Sequence, residues 1–185
     1  MNNKVLLISP GGCACTAFIN FIKDYVPINS SSDKDKLKHT LPWDPLVKEY
    51  NASRVIYLYG DFDKAARSLF RRNFQKVQYR KLRNMRGNQE ISPSFNNYKQ
   101  YVNLVLKSKT EPLGILDHFK AWKSVPDVFF IHYENIPTSS EIDAVLGVAK
   151  GTCSKFPLKK RLSEEKIFET TEYLNIMKGF MSEVI

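Results

Sequence analysis

The stretch KVLLISPGGCACTAF, Lys4 to Phe18, decides how this chain is read. An aliphatic run stops at Pro10. Six small residues follow, Gly11, Gly12, Cys13, Ala14, Cys15 and Thr16, before apolar positions recur at helical spacing in Phe18, Ile22 and Val26. That order reads as a buried strand over Lys4–Ser9, a loop, and a helix over Cys15–Val26 that Pro27 ends. The N–H groups at a helix N-terminus favour anions without any side chain. Gly11 and Gly12 permit close backbone approach, and Thr16 adds a hydroxyl in the first turn. The loop therefore reads either as a phosphate site or as a tight strand–helix turn made of small residues. It has no lysine, so the pattern G-x-x-x-x-G-K-[ST] is absent and an ATP or GTP hydrolase is not indicated.

Working outward, RVIYLY (Arg54–Tyr59) and DVFFIHY (Asp127–Tyr133) read as two more strands. After Tyr59 the turn Gly60–Asp63 breaks the strand, and Asp61 or Asp63 is placed to cap a helix. That helix carries Ala66, Leu69 or Phe70, Asn73 or Phe74, and Val77 at helical spacing, which assigns Phe70 and Phe74 to the core. Asn84–Asn97 is polar, with Gly and Pro, and is expected as a loop or mobile insertion. Helices are expected over Tyr98–Lys107, Ile115–Lys123, Ser139–Val148 and Ser163–Met181. Lys38–Leu46 carries two prolines and should be irregular, pinned by Trp43 and Leu46. Strands alternating with helices predict one α/β domain over 1–185 with a parallel sheet, and ligands at the carboxyl ends of its strands.

The totals fit a soluble globular chain. Hydrophobic residues make up 43% and charged residues 25% of the 185 positions. Three cysteines make no disulfide framework and fit a reducing compartment. The first apolar run is too short for a signal peptide and no segment approaches a membrane span, so a cytoplasmic protein without membrane contact is expected. The net charge is +9, and Lys64, Arg67, Arg71, Arg72, Lys76, Arg80, Lys81, Arg83 and Arg86 follow one another with no acidic residue between them. This is either a solvated face or a surface for an anionic partner.

Four stretches, in order, resemble the sulfotransferases that use 3′-phosphoadenosine 5′-phosphosulfate (PAPS). PGGCACT is similar to their phosphosulfate loop, with Ala14 on the glycine place, Cys15 and Thr16 on the two hydroxyl places, and Gly12 where a basic residue is usual. KHTLP (Lys38–Pro42) resembles their Lys-Thr-His-Leu-Pro segment with the middle pair exchanged. RVIYLYGDFDKAARSLF resembles the strand, turn and helix that hold the 3′-phosphate: Ser68 falls on the serine place, Gly60 on the arginine place. EPLGILDHFKAWKSVPDVFFIHYENI resembles the helix, turn and strand that follow, with His132 on an arginine place. LSEEKIFETTEYLNIM looks like the last helix, and Lys150-Gly151 echoes the segment that closes over the nucleotide.

The resemblance implies a three-layer, P-loop-type sandwich with a central, mostly parallel sheet between helices. It implies transfer of a sulfonate from PAPS to a hydroxyl or amine of a small-molecule or glycan acceptor. Lys38 would stabilise the leaving phosphate and His39 would serve as base, with His118 as another candidate. Gly11, Gly12, Cys13, Ala14, Cys15, Thr16, Ser68 and Arg72 would bind the nucleotide, Arg72 or Arg71 replacing the absent arginine. No metal is expected, because lysines and backbone N–H groups can supply the charge. The alternatives are a binding module that takes an anionic ligand or polymer on its basic helix, and a nucleic-acid reader, the least favoured of the three. Acceptor identity and oligomeric state are not encoded in these motifs.

Overall fold

A computed structural model describes residues 3–83, 93–158 and 170–183. Its centre is a parallel sheet in the order β1-β2-β3, formed by β1 (Val5–Ile8), β2 (Arg54–Tyr59) and β3 (Val128–His132). Leu7 pairs with Ile56, and Tyr57 with Phe130. The outer edge of β1 is covered by residues 27–29: Val5 N–H donates to Pro27 O at 2.8 Å, and the Asn29 amide makes both bonds to Leu7.

The strands are apolar on both faces, as a sheet buried between two helix layers requires. Val5, Leu7, Ile56 and Leu58 face one layer, which holds α1 (Cys15–Ile22) and α7 (Ser140–Leu146). Leu6, Ile8 and Tyr57 face the other. That layer holds α3 (Phe62–Arg71), α5 (Tyr98–Ser108), α6 (Ile115–Lys123) and α8 (Thr171–Ser182). The fold is thus α/β, a parallel sheet flanked by helices. α2 (Pro45–Tyr50) and α4 (Gln75–Leu82) complete the set.

Several expectations need correction. α1 stops at Ile22, four residues early, and the chain turns through to a buried Val26. The 38–46 segment ends in α2, which Pro45 starts and Asp44 caps by accepting from Leu46 N–H. Trp43 does not pin it, being 66% exposed. The anchors are Leu37, Leu41, the expected Leu46, which packs against the core, and the Thr40 carbonyl, which accepts from His118 Nε2 and Trp122 Nε1, each at 2.9 Å. Asp61 sits at the start of α3, but its carboxylate pairs with Lys64 and His132 instead of capping.

The basic helix is two helices. Asn73 adopts φ +56, Asn73 N–H bonds Phe70 O and Phe74 N–H bonds Leu69 O, the two bonds of a Schellman stop. α4 leaves in a new direction, so Phe74 is half exposed rather than core, while Phe70 packs on Tyr101 and Phe95. Of the 84–97 loop, residues 84–92 lie outside the described residues, and 93–97 are irregular as expected. Of the C-terminal helix, 163–169 likewise lie outside, and α8 begins with Thr170 capping Tyr173 N–H.

His118 is a core residue, not a base. It is fully buried on α6, accepting from the Tyr57 hydroxyl at Nδ1 (2.8 Å) and donating to Thr40 O from Nε2. Burial pulls its pKa down to about 4. The unfolded chain binds the proton below about 6.5 while the folded chain refuses it, so this term stabilises the fold above pH 6.5 and is lost as pH falls toward 4. Between pH 7 and pH 5 urea unfolding should therefore lose about 2 kcal/mol on account of His118. The same pH drop in His118→Gln should cost about that much less; equal losses in both proteins would contradict this role.

Candidate functional site

The loop after β1 is organised by Ser9. Its N–H takes Lys38 O at 2.9 Å, its hydroxyl accepts from Gly11 N–H at 2.9 Å, and it meets Cys13 Sγ at 2.9 Å. Cys13 Sγ in turn donates to Leu58 O of β2. Gly11, Gly12 and Ala14 then take positive φ values of 92°, 79° and 59°. The two glycines do this at little cost; Ala14 accepts strain of about 1–2 kcal/mol. Gly12 is pressed onto α3, where a Cβ would lie 2.5 Å from Ala65 O. The first intrahelical bond of α1 is Phe18 N–H to Ala14 O. The N–H groups of Cys15, Thr16 and Ala17 therefore form the helix's donor end, with no carbonyl of their own helix to meet.

That end opens into a cleft of about 540 Å³. Gly11, Gly12, Ala14, Cys15 and Thr16 line one wall, Lys38 and His39 a second, and Arg72, Gln78 and Lys81 a third. Lys38 is buried, and its Nζ donates to Thr16 Oγ1 at 3.1 Å and to Ser31 O at 2.5 Å. Two of its three N–H bonds are spent, which aims the ammonium at the donor end of α1. His39 Nδ1 donates to Ser9 O at 2.6 Å, leaving Nε2 as an acceptor. Burial, reinforced by Lys38 and Lys81, lowers its pKa to about 3. It is neutral near pH 7 and a weak base. Cys15 is a thiol rather than a nucleophilic thiolate, because burial raises its pKa well above the usual range.

Gln78 was not foreseen. Its buried amide donates to Pro10 O at 3.0 Å and its side chain packs over Gly11, clamping the loop from α4. The sequence signal was only a glutamine inside a basic helix, which reads as surface until α4 is known to turn.

No family model matches the chain, and no curated protein matches it. Among solved structures the chain is similar to the crystal structure of mouse sulfotransferase SULT7A1 complexed with PAP. The identity is 17%, the TM-score 0.48, and the match covers 96% of this chain and 64% of that one.

Two proposed nucleotide contacts stand apart from the cleft wall. Cys13 is buried behind the loop, between Ser9 and Leu58. Ser68 is buried on α3, with Arg72 Nε donating to its carbonyl at 3.0 Å. Arg72, not Arg71, lines the cleft, with its guanidinium over the Phe74 ring at 5.6 Å. Gly60 has no room for a larger side chain, since a Cβ there would meet the Tyr133 ring at 2.7 Å. Lys150-Gly151 lies at the end of α7, where Gly151 N–H donates to the Asp143 carboxylate. His132 pairs with Asp61 and packs edge-on against Tyr59 and tilted against Tyr133, a structural role. Among the described residues no group of three or more His, Cys, Asp or Glu is placed to hold a metal ion, and no helix is long and apolar enough to cross a membrane.

Proposed function

We propose that this protein is a sulfotransferase that moves a sulfonate from PAPS to a hydroxyl or amine of a small-molecule or glycan acceptor. The observation that carries the reading is Lys38 Nζ held 3.1 Å from Thr16 Oγ1 at the donor end of α1. Residues 22 positions apart thereby converge where a phosphate would sit. The cleft's volume suits a nucleotide. The phosphosulfate end fits the loop, Thr16 and Lys38. The 3′-phosphate end is met differently from the resembled pattern, because Tyr133 fills the Gly60 place and Arg72 is the cation at hand.

The donor supplies a sulfonate on a phosphate leaving group. As that bond breaks, negative charge grows on the phosphate side, and fixed donors aimed there lower the barrier. Lys38, Thr16 and the first-turn N–H groups of α1 are those donors. His39 would take the acceptor proton at Nε2. A bound polyanion offsets Lys38 and Lys81 and so raises the His39 pKa, against the burial that chiefly lowers it.

The test is a thermal shift with 3′,5′-ADP, the nucleotide product. A concentration-dependent rise in Tm is expected, larger than with 5′-AMP at the same concentration. No shift with 3′,5′-ADP would overturn the reading. A second reading, an anionic-polymer module, is favoured by the exposed Arg71, Lys76 and Arg80 beside the half-exposed Phe74 and Val77. Salt-sensitive retention on heparin by a protein that ignores 3′,5′-ADP would select it.

A further inference from the structure

The cleft that would take an anion already contains one. Asp33 lies in the polar turn before Lys38 with φ +60, a left-handed position that Asp and Asn tolerate. Its side chain is only 6% exposed, yet it lines the cleft. One carboxylate oxygen accepts from Lys38 N–H at 2.9 Å, and the other is paired with the Lys81 ammonium. The same turn supplies Ser31 O to Lys38 Nζ. Two lysines from different parts of the chain thus tie this turn over the cleft.

A buried carboxylate and an incoming phosphate compete for the same cation. At the separations inside one cleft, two such anions repel appreciably even with effective screening near ε ~20. Lys81 cannot satisfy both at full strength.

We propose that Asp33 is the cleft's internal counter-anion: a phosphate-bearing ligand binds by exchange, drawing Lys81 away from Asp33, so that Asp33 sets how strongly charged a ligand must be to enter. The inference rests on the cleft being an anion site, not on the identity of the nucleotide. Asp33 acts here as a specificity and positioning residue through Lys81 and the Lys38 backbone.

Asp33→Asn separates charge from position. The amide oxygen can still accept from Lys38 N–H, Asn tolerates the left-handed backbone, and only the counter-charge is lost. Binding of inorganic pyrophosphate is measured by titration calorimetry at low salt. Asp33→Asn should bind about tenfold more tightly than the native protein. The double variant Asp33→Asn, Lys81→Met should return close to native affinity, because the released cation is gone. Three results overturn the inference: equal or weaker binding by Asp33→Asn, a gain that survives in the double variant, or no pyrophosphate binding by any of these proteins. Should Asp33→Asn not fold, Lys81→Met alone decides, with binding at least fivefold weaker supporting the exchange and unchanged binding overturning it. 3′,5′-ADP is titrated in parallel. If pyrophosphate follows the expected pattern while 3′,5′-ADP does not bind, the nucleotide reading fails and the Asp33 exchange stands.

Discussion

Lys38→Met should fold normally and lose the nucleotide. The substitution keeps an apolar stem of similar length in a buried slot, and removes the one buried ammonium at the donor end of α1. Its neutral partners, Thr16 Oγ1 and Ser31 O, lose a donor, which costs about 1–3 kcal/mol of stability each where water does not replace it. Relieving the desolvated charge offsets part of that. Binding is affected far more. A charge-assisted contact to phosphate contributes about 1.5–3 kcal/mol, so the Kd for 3′,5′-ADP should rise about ten- to a hundredfold. The rate of transfer should fall further, by about 10²–10³, because the same ammonium faces charge that grows in the transition state. Calorimetry with 3′,5′-ADP and urea unfolding, run together, read the two effects apart. A variant that binds 3′,5′-ADP as the native protein does would remove Lys38 from the site.

Gly12→Lys should damage the protein, although it restores the basic residue usual at that place in the resembled loop. A Cβ at Gly12 would lie 2.5 Å from Ala65 O and 2.7 Å from Ala65 Cα, both backbone atoms of α3 that cannot step aside. The backbone at φ +79 adds about 1–2 kcal/mol for any L side chain, and the overlap adds about 1–3 kcal/mol more. A loss of about 2–5 kcal/mol is a large share of the about 5–15 kcal/mol that holds a typical domain. Gly151→Ala is the control: φ is +85 there, but the nearest atom to a Cβ is a serine hydroxyl at 3.8 Å. It should lose only the conformational part, about 1–2 kcal/mol. If urea unfolding shows Gly12→Lys as stable as the native protein, the loop does not pack on α3 as described.

The three strands were legible because each is a short aliphatic or aromatic run bounded by turn residues, and such runs have few other stable placements. β2 falls on the expected Arg54–Tyr59, and α6 on the expected Ile115–Lys123. The misplacements along the basic helix share one cause. Helical spacing from Ala66 to Val77 is continuous in the sequence, and only the left-handed Asn73 interrupts it. Asn is compatible with both a helix interior and a Schellman stop, so propensity does not choose. Packing of Gln78 over Gly11 does. The same turn moves Phe74 from core to cleft mouth and brings Lys81 to Asp33.

Histidines show the division from the other side. The sequence puts His39 first as the base and His118 second, and residue type alone does not separate them. Tertiary structure spends both nitrogens of His118 on Tyr57 and Thr40 and only Nδ1 of His39 on Ser9.

What the sequence alone determined is the α/β order of elements and the anion-favouring turn after β1, since both depend on local pattern: apolar runs, small residues, a helix start. The resemblance already named Lys38 and Arg72; how these and the other charges reach that turn was decided in three dimensions. Lys38 arrives from 22 residues away, Lys81 and Gln78 from beyond a helix break, and Asp33 from the polar turn before Lys38. Long-range electrostatics and close packing carry no local sequence signature, so the cations beside the loop come from the rest of the fold.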